Sequence, residues 1–162
     1  MPTRRLPPIN DYERGVLTNV EQYGWHCTSV TQRERAEDFV PFSYTVGLFD
    51  RFGASELIVF GLDENVAHSI FKIYVNRLWV GEPIPLDEAC ADLIQNYSCA
   101  FVPVPRTRYN EFVFSALWFY AEVEFPLHQL VWPDADGAYP WSPGVGPDFL
   151  TQQPVLALDG VA

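Results

Sequence analysis

Four side chains of kinds that carry proton-transfer chemistry lie in or beside predicted strands: His26, Tyr44, Glu56 and His128. Glu56 comes directly before an apolar run, where neither a turn nor a helix cap accounts for a carboxylate. Histidine exchanges a proton near neutral pH, and a carboxylate within hydrogen-bond reach of it forms an acid–base pair. If the fold gathers these four candidate catalytic residues around one pocket, the sequence indicates a small hydrolase or peptide-modifying enzyme.

Aromatic residues make up 15% of the chain and supply a second kind of candidate site. Most of these rings are expected in the core, but Trp132-Pro133 and Pro140-Trp141 flank a polar turn and are harder to bury. The sequence therefore favours, as its first hypothesis, a non-catalytic module that binds a peptide, a protein or a small molecule in an aromatic-lined groove near this turn. The predicted ligand-binding residues are Trp25, Trp118, Trp132, Asp134 and Trp141. The enzyme is the alternative.

Metal and cofactor motifs are not recognisable in the sequence. The three histidines, His26, His68 and His128, include no pair at His-x-x-x-His spacing. The three cysteines, Cys27, Cys90 and Cys99, include no Cys-x-x-Cys pair and are typical of reduced, buried thiols. Gly-Val-Gly-Pro at residues 144–147 follows no strand-to-helix unit, so it is not a dinucleotide fingerprint. We therefore predict neither a metal nor a cofactor.

Composition excludes several classes of partner. The net charge is -11 with only 10 Lys and Arg residues, and phosphate backbones are bound mainly by cationic side chains. No segment reaches the roughly 18 apolar residues needed to cross a bilayer, and the first residues lack the apolar core of a secretory signal. We expect a cytoplasmic protein with no nucleic-acid and no membrane partner.

The stretch over residues 41–62 must position much of the candidate chemistry. Residues 42–48 and 56–60 are rich in β-branched and aromatic side chains, and the Asp-Arg-Phe-Gly between them at residues 50–53 is typical of a turn. A hairpin is predicted. The second run is continuously apolar rather than alternating, which indicates a central strand covered on both faces.

The remaining elements follow from periodicity and from Pro, Gly and capping residues. Helices are predicted over residues 11–23, from the Asp63 cap to Gly81, over residues 86–95, and over residues 112–120 behind an Asn110 cap, the last being preferred to a strand. Strands are predicted over residues 25–31, over residues 99–104 at an edge of the sheet, and over residues 127–132 with a return at 138–141 as a second hairpin. Residues 32–38 are predicted to be an exposed loop.

Together these elements predict an α+β fold: a single domain with a mainly antiparallel sheet of β-hairpins and about three packed helices. Residues 1–10 are expected to be a flexible N-terminal segment, residues 11–143 the domain, and residues 144–162 a Pro/Gly-rich C-terminal tail. The apolar residues 155–158 of the tail are predicted to dock either on the body or on another copy of the chain, which would give a homo-oligomer.

An ordered series of motifs resembles DUF4262, a domain-of-unknown-function family of small bacterial proteins. The motifs are Trp25 after a glycine, Tyr-Thr-Val-Gly-Leu at residues 44–48, the strand at 56–61, Ala-Leu-Trp-Phe-Tyr at 116–120, and Gln-Leu-Val-Trp-Pro-Asp at 129–134 followed by Gly137 and Pro140-Trp141. The resemblance implies a shared fold and no particular activity. Where it leads us to expect His-Pro before Glu56, this chain has Ala54-Ser55, so any family chemistry that depends on that histidine is lacking here.

Overall fold

The structure is a computed structural model that describes residues 6–31 and 39–158. Its strands are β1 (His26–Val30), β2 (Phe42–Val46), β3 (Glu56–Phe60), β4 (Cys90–Ile94), β5 (Tyr97–Pro103) and β6 (Leu127–Val131). They form one sheet in the order β1-β2-β3-β6-β5-β4. Only β3 and β6 pair in parallel, and the other neighbours are antiparallel. The predicted α+β class with a mainly antiparallel sheet is confirmed.

Helices precede, interrupt and follow the strands. They are α1 (Asp11–Tyr23), α2 (Leu48–Phe52), α3 (Glu64–Trp79), α4 (Tyr109–Phe112), α5 (Phe114–Tyr120) and α6 (Pro147–Gln152), with a 3₁₀ turn at Arg106–Arg108. The Asn10 side chain caps α1 by accepting from the Glu13 amide at 2.8 Å. Asp63 caps α3 in the same way, as the sequence predicted. The predictions for these two helices are confirmed.

Both faces of the sheet are covered. Ile58 and Phe60 of β3 belong to the core cluster that contains residues of α1, α4 and α5. Leu57 and Val59 face the opposite way, into the cluster that contains residues of α3. Because β3 is buried from both sides, none of its side chains is more than 2% exposed. The prediction of a central strand from its continuous apolar run is confirmed.

The connection between β2 and β3 is not the predicted tight turn. After β2 the chain turns at Gly47, which has a φ of 102°, and continues into the short helix α2. The two strands still pair as antiparallel neighbours, with Tyr44 opposite Ile58. A turn signal in the sequence could not reveal α2, because its first amide groups are bound by the side chain of Glu56, nine residues after Gly47.

Two predictions on the far side of the sheet are wrong. Residues 90–94 form the edge strand β4 rather than part of a helix, since a ten-residue apolar pattern is too short to separate the two. β4 covers β5, so β5 is not an edge strand; its proline, Pro103, is its last residue. The proline therefore marks the end of the strand and not the edge of the sheet.

The prediction of a second hairpin, with a return strand at residues 138–141, is also wrong. Residues 138–141 do not form a strand, because β6 already has β3 on one side and β5 on the other. The turn itself is present, with the carboxylate of Asp134 accepting from the amides of Asp136 and Ala138 at 2.9 Å each. Backbone pairing thus places β6 in the middle of the sheet.

The run over residues 112–120 is helical, as preferred, but it is divided. α4 begins at Tyr109 rather than at an Asn110 cap, and Val113, with a ψ of 57°, separates it from α5. In the tail, Val155 and Leu156 are buried, so these residues dock on the body. The predicted loop at residues 32–38 lies outside the described residues.

Candidate functional site

A cleft of about 480 Å³ lies at the β1 edge of the sheet, between α1 and α3. Asn19 and Tyr23 come from α1, His26 and Cys27 from β1, and the opposite wall belongs to α3. The residues that matter most below are Trp25, His26, His68, Lys72, Asn76 and Trp79. On α3, positions 68, 72, 76 and 79 follow one another at three or four residues, so they share one helix face.

At the cleft, Gly24 and Trp79 approach each other closely. Gly24 ends α1 with a φ of 86°, and a Cβ added there would lie 2.9 Å from the Trp79 ring. A larger residue at position 24 would therefore displace this ring. Trp79 is held further by Phe52, whose ring meets it edge-on at 5.0 Å, and by the Arg51 guanidinium 4.9 Å from the ring centroid.

The cleft also contains a second aromatic pair. Trp25 stacks on His68 with the ring centroids 5.4 Å apart and the planes 18° from parallel. His68 is exposed and Trp25 is half-buried, so the pair is partly open to solvent. Gly24 and Trp25 are consecutive in the chain, so Trp79 and the Trp25–His68 pair flank the same short segment, and both contribute aromatic surface to the cleft.

Burial shifts the pKa values of both titratable groups that β1 contributes to the cleft. Burial lowers the pKa of His26, so its imidazole is neutral at pH 7. Nδ1 of His26 lies 2.9 Å from Nδ2 of Asn19, while its Nε2 is buried with no hydrogen-bond partner among the described residues. Burial raises the pKa of the Cys27 thiol to about 11, so the thiol stays protonated and is a poor nucleophile.

Glu56 lies elsewhere, fully enclosed between β2 and α2. Its carboxylate accepts from Thr45 Oγ1 at 2.7 Å and from the hydroxyl of Tyr120. It also accepts from three backbone amides at the start of α2: Gly47 at 3.0 Å, Leu48 at 3.2 Å and Phe49 at 3.2 Å. These are amides that the helix leaves without an internal partner. Glu56 therefore joins α2 to the sheet.

Burial dominates the protonation of Glu56. Removal from water raises the pKa of this carboxyl to about 7, although the donors from Tyr120 and Thr45 act in the opposite direction. The same burial, together with the nearby carboxylate, raises the pKa of Tyr120. Within the described residues, no hydrogen bond joins Glu56 to a histidine. Its environment is that of a structural group with a full set of donors.

The other two catalytic candidates lie in further separate places. His128 on β6 has its Nδ1 2.7 Å from Oγ of Ser55, and it lines a different cavity together with Asp87 and Glu88. Ser55 is only 7% exposed, which leaves it inaccessible as a nucleophile. Tyr44 is buried, and its hydroxyl accepts from the Ser115 amide at 3.0 Å. The structure does not bring His26, Tyr44, Glu56 and His128 into one pocket.

Of the five predicted ligand-binding residues, only Trp25 lines the cleft. Trp118 is half-buried against the core, Asp134 is occupied by its turn, and Trp132 donates from Nε1 to the Phe60 carbonyl at 2.8 Å. Trp141 is 45% exposed and stacks on Tyr139 at 5.1 Å. The five side chains therefore do not share one groove.

Of the residues that line the cleft, only Trp25 and His26 were predicted as site residues; those not predicted include His68, Lys72 and Trp79. The available signal was their spacing of four and seven residues, which places two rings and a cation on one face of the predicted long helix. That face cannot be recognised as a cleft wall without α1 and Gly24 opposite it. No three His, Cys, Asp or Glu side chains in the described parts of the chain form a group that could hold a metal ion.

A family model described as a domain of unknown function, DUF4262, matches residues 19–146. The chain belongs to the DUF4262 family. The DUF4262 region contains the whole cleft, from Asn19 to Trp79, and also Glu56 with all of its partners. It excludes α6 and the buried residues 155–156. No curated protein and no solved structure matches the chain. Among the described residues of this DUF4262 protein, no helix is long and apolar enough to cross a membrane.

Proposed function

We propose that this DUF4262 protein is a binding protein that holds a small aromatic ligand in the cleft between α1 and α3. The observation that supports the proposal is the presence of accessible rings in one concave site, the Trp25–His68 pair and Trp79. A volume of about 480 Å³ is within the range of small-molecule sites. This keeps the aromatic-lined groove expected from the sequence but moves it away from Trp141.

The exposure of Trp79 adds to this support. The side chain is 48% exposed even though Phe52 and Arg51 pack against it. An indole left in contact with water retains apolar surface that a planar ligand can cover, with the extra attraction of ring stacking. Trp79 is therefore the wall residue on which ligand affinity should depend most.

Binding is favoured over catalysis by the state of the neighbouring groups. The Cys27 thiol remains protonated at physiological pH, and its side-chain hydrogen-bond partner is Ser29 rather than a base. A nucleophile needs an activating base or a lowered pKa, and neither is present at Cys27. We accordingly propose retention of an unmodified ligand rather than its conversion.

The test uses 2-naphthalenemethanol, a neutral aromatic probe, titrated into the full chain and followed by backbone amide NMR shifts. We expect saturable shifts at Trp25, His26 and Lys72. Trp79→Ala should weaken binding by about tenfold, the upper end of what one aromatic pair contributes. Trp141→Ala is the matched control, because Trp141 is similarly exposed, at 45% against 48%, and also stacked on a neighbour. No shift at the cleft, or equal losses in the two variants, would contradict the proposal.

A further inference from the structure

This acidic protein has 10 Lys and Arg residues. Six of them lie in the described residues, and four of these are in ion pairs: Arg14 with Asp11, Arg77 with Asp92, Arg106 with Glu124 and Arg108 with Glu111. The remaining two, Arg51 and Lys72, have no ion-pair partner anywhere in residues 6–31 and 39–158. Lys72 lies in the wall of the cleft, whereas Arg51 packs over the ring of Trp79 and lines a different cavity with Glu21 and Asp50.

The cleft also lacks the acidic residues that dominate the rest of the chain. The sequence has 21 Asp and Glu residues, yet none of the described residues that line the cleft is acidic. Three other cavities contain Asp87 and Glu88, Glu122 and Glu124, or Glu21 and Asp50, and a fourth, beside Tyr44 and Ser115, contains neither an acidic residue nor a cation among the residues that the structure describes. In a protein of net charge -11, a cleft with a cation and no carboxylate is locally suited to an anion.

We propose that the ligand of the cleft is an aromatic monocarboxylate whose carboxylate is bound by Lys72. This inference rests on the proposed function and specifies the chemical class of the ligand. The rings of the cleft would hold the aromatic part. The amide of Asn76, one turn after Lys72 on the same helix face, is placed to donate a second hydrogen bond.

The expected charge of the ligand follows from the cations available. Lys72 is the only Lys or Arg among the described residues that line the cleft, so one negative charge can be neutralised directly. Arg51 stacks outside this wall, about two turns away from Lys72, and contributes at longer range. A phosphate carrying two charges would leave one of them opposed by the negative field of the protein.

One acidic residue close to the cleft, Glu64, influences where an anion would bind. Glu64 is one turn before His68 on α3, and its charge helps to raise the pKa of the Cys27 thiol. An anion would therefore be repelled from the Cys27 side of the cleft and favoured toward Lys72.

The experiment compares three probes with the same ring system: 2-naphthoate, 2-naphthamide and 2-naphthylmethylamine, measured by isothermal titration calorimetry at low ionic strength with the full chain. We expect 2-naphthoate to bind about tenfold more tightly than the neutral amide, as for one charge-assisted contact. The amine should bind most weakly. Lys72→Met should bind 2-naphthoate and 2-naphthamide with equal affinity, because the preference for the acid depends on the ammonium group.

Two further variants separate charge from shape. Lys72→Arg keeps the cation and should retain the preference for 2-naphthoate. Arg77→Met removes a cation from the same helix, one that is paired with Asp92 at 3.3 Å, and should change neither affinity. If 2-naphthamide or 2-naphthylmethylamine binds as tightly as 2-naphthoate, or if Lys72→Met still prefers 2-naphthoate, the inference is wrong while the proposed function stands. If none of the three probes nor 2-naphthalenemethanol binds, both are wrong.

Discussion

Glu56 and the cleft are two polar regions set among aromatic rings, and they differ in how fully their polar groups are paired. The Glu56 carboxylate has no exposed surface and accepts from Tyr120, Thr45 and the first amides of α2. In the cleft, Lys72 is exposed without an ion-pair partner, and Nε2 of His26 has no hydrogen-bond partner among the described residues. The polar groups around Glu56 are all paired within the fold, whereas Lys72 and His26 in the cleft could still pair with groups of a ligand.

The difference shows how a perturbed pKa should be interpreted. Glu56 has the most conspicuous shift for a carboxyl group in the described chain, yet every donor around it belongs to the fold and no cavity described above includes it. Strong shifts arise in structural networks as well as in active sites. Lys72, in contrast to the enclosed Glu56, has a solvent-exposed side chain. The comparison therefore indicates a structural role for Glu56, and for the cleft it supports the proposal of a binding role.

The largest effect should come from Glu56→Ala. The substitution leaves Thr45, Tyr120 and three amides of α2 without their acceptor in a dry interior, and each unsatisfied group is costly. We expect the free energy of unfolding to fall by at least about 4 kcal/mol, measured by urea denaturation. A loss below about 0.5 kcal/mol, typical of a surface substitution, would remove the structural assignment of Glu56.

Tyr120→Phe provides a graded control for that result. It removes one donor to Glu56 and the acceptor of the Asp50 amide, while the carboxylate and its other four donors remain. A loss of about 1 to 2 kcal/mol is expected, clearly smaller than for Glu56→Ala.

The next effect is a pH dependence of stability. The pKa of Glu56 is raised from 4.5 to about 7 in the folded chain, so the folded state binds a proton more tightly than the unfolded state does. The contribution of this group is complete below pH 4.5 and is lost as the pH rises through about 7. The predicted decrease in the free energy of unfolding across this window is about 3 kcal/mol, from about 1.4 kcal/mol per unit.

Glu56→Gln is the control for this prediction, because an amide of the same shape does not titrate. Urea denaturation at a series of pH values should give a curve for the variant that lacks the decrease seen in the wild-type chain. Parallel curves for the two proteins would show that the decrease comes from other groups, and Glu56 would then have an ordinary pKa.

The smallest effect is expected in the cleft. Lys72 is exposed and has no ion-pair partner among the described residues, so Lys72→Met should change the free energy of unfolding by less than about 0.5 kcal/mol. Thermal denaturation of the two proteins side by side measures this. A loss comparable to that of Tyr120→Phe would mean that Lys72 supports the fold, and the contrast between the two regions would fail.

The sequence predicted the elements whose signals are local. The Asp63 cap and the following periodicity indicate α3, and the continuous apolar run of residues 57–60 indicates a strand buried on both faces. These signals lie within one element, so propensity and patterning suffice to find them. The sequence also indicated that Glu56 is not a turn-forming residue, since neither a turn nor a helix cap accounts for its carboxylate.

Pairing between distant segments could not be read in the same way. β4 forms a strand because it pairs with β5. Residues 138–141 do not form a strand because β3 and β5 already occupy both sides of β6. Likewise α2 depends on a carboxylate that follows it in the chain. Each outcome was decided by a partner remote in sequence, which single-segment patterns do not contain.

By itself the sequence determined an α+β domain with a central strand covered on both faces, a negative net charge and a high content of aromatic residues. Only the tertiary structure decided which polar groups are paired: it enclosed Glu56 under α2 and left Lys72 beside open rings across from Gly24. The physical reason is that burial and hydrogen-bond satisfaction are properties of packed neighbours, whereas the sequence specifies only the chemical type of each side chain.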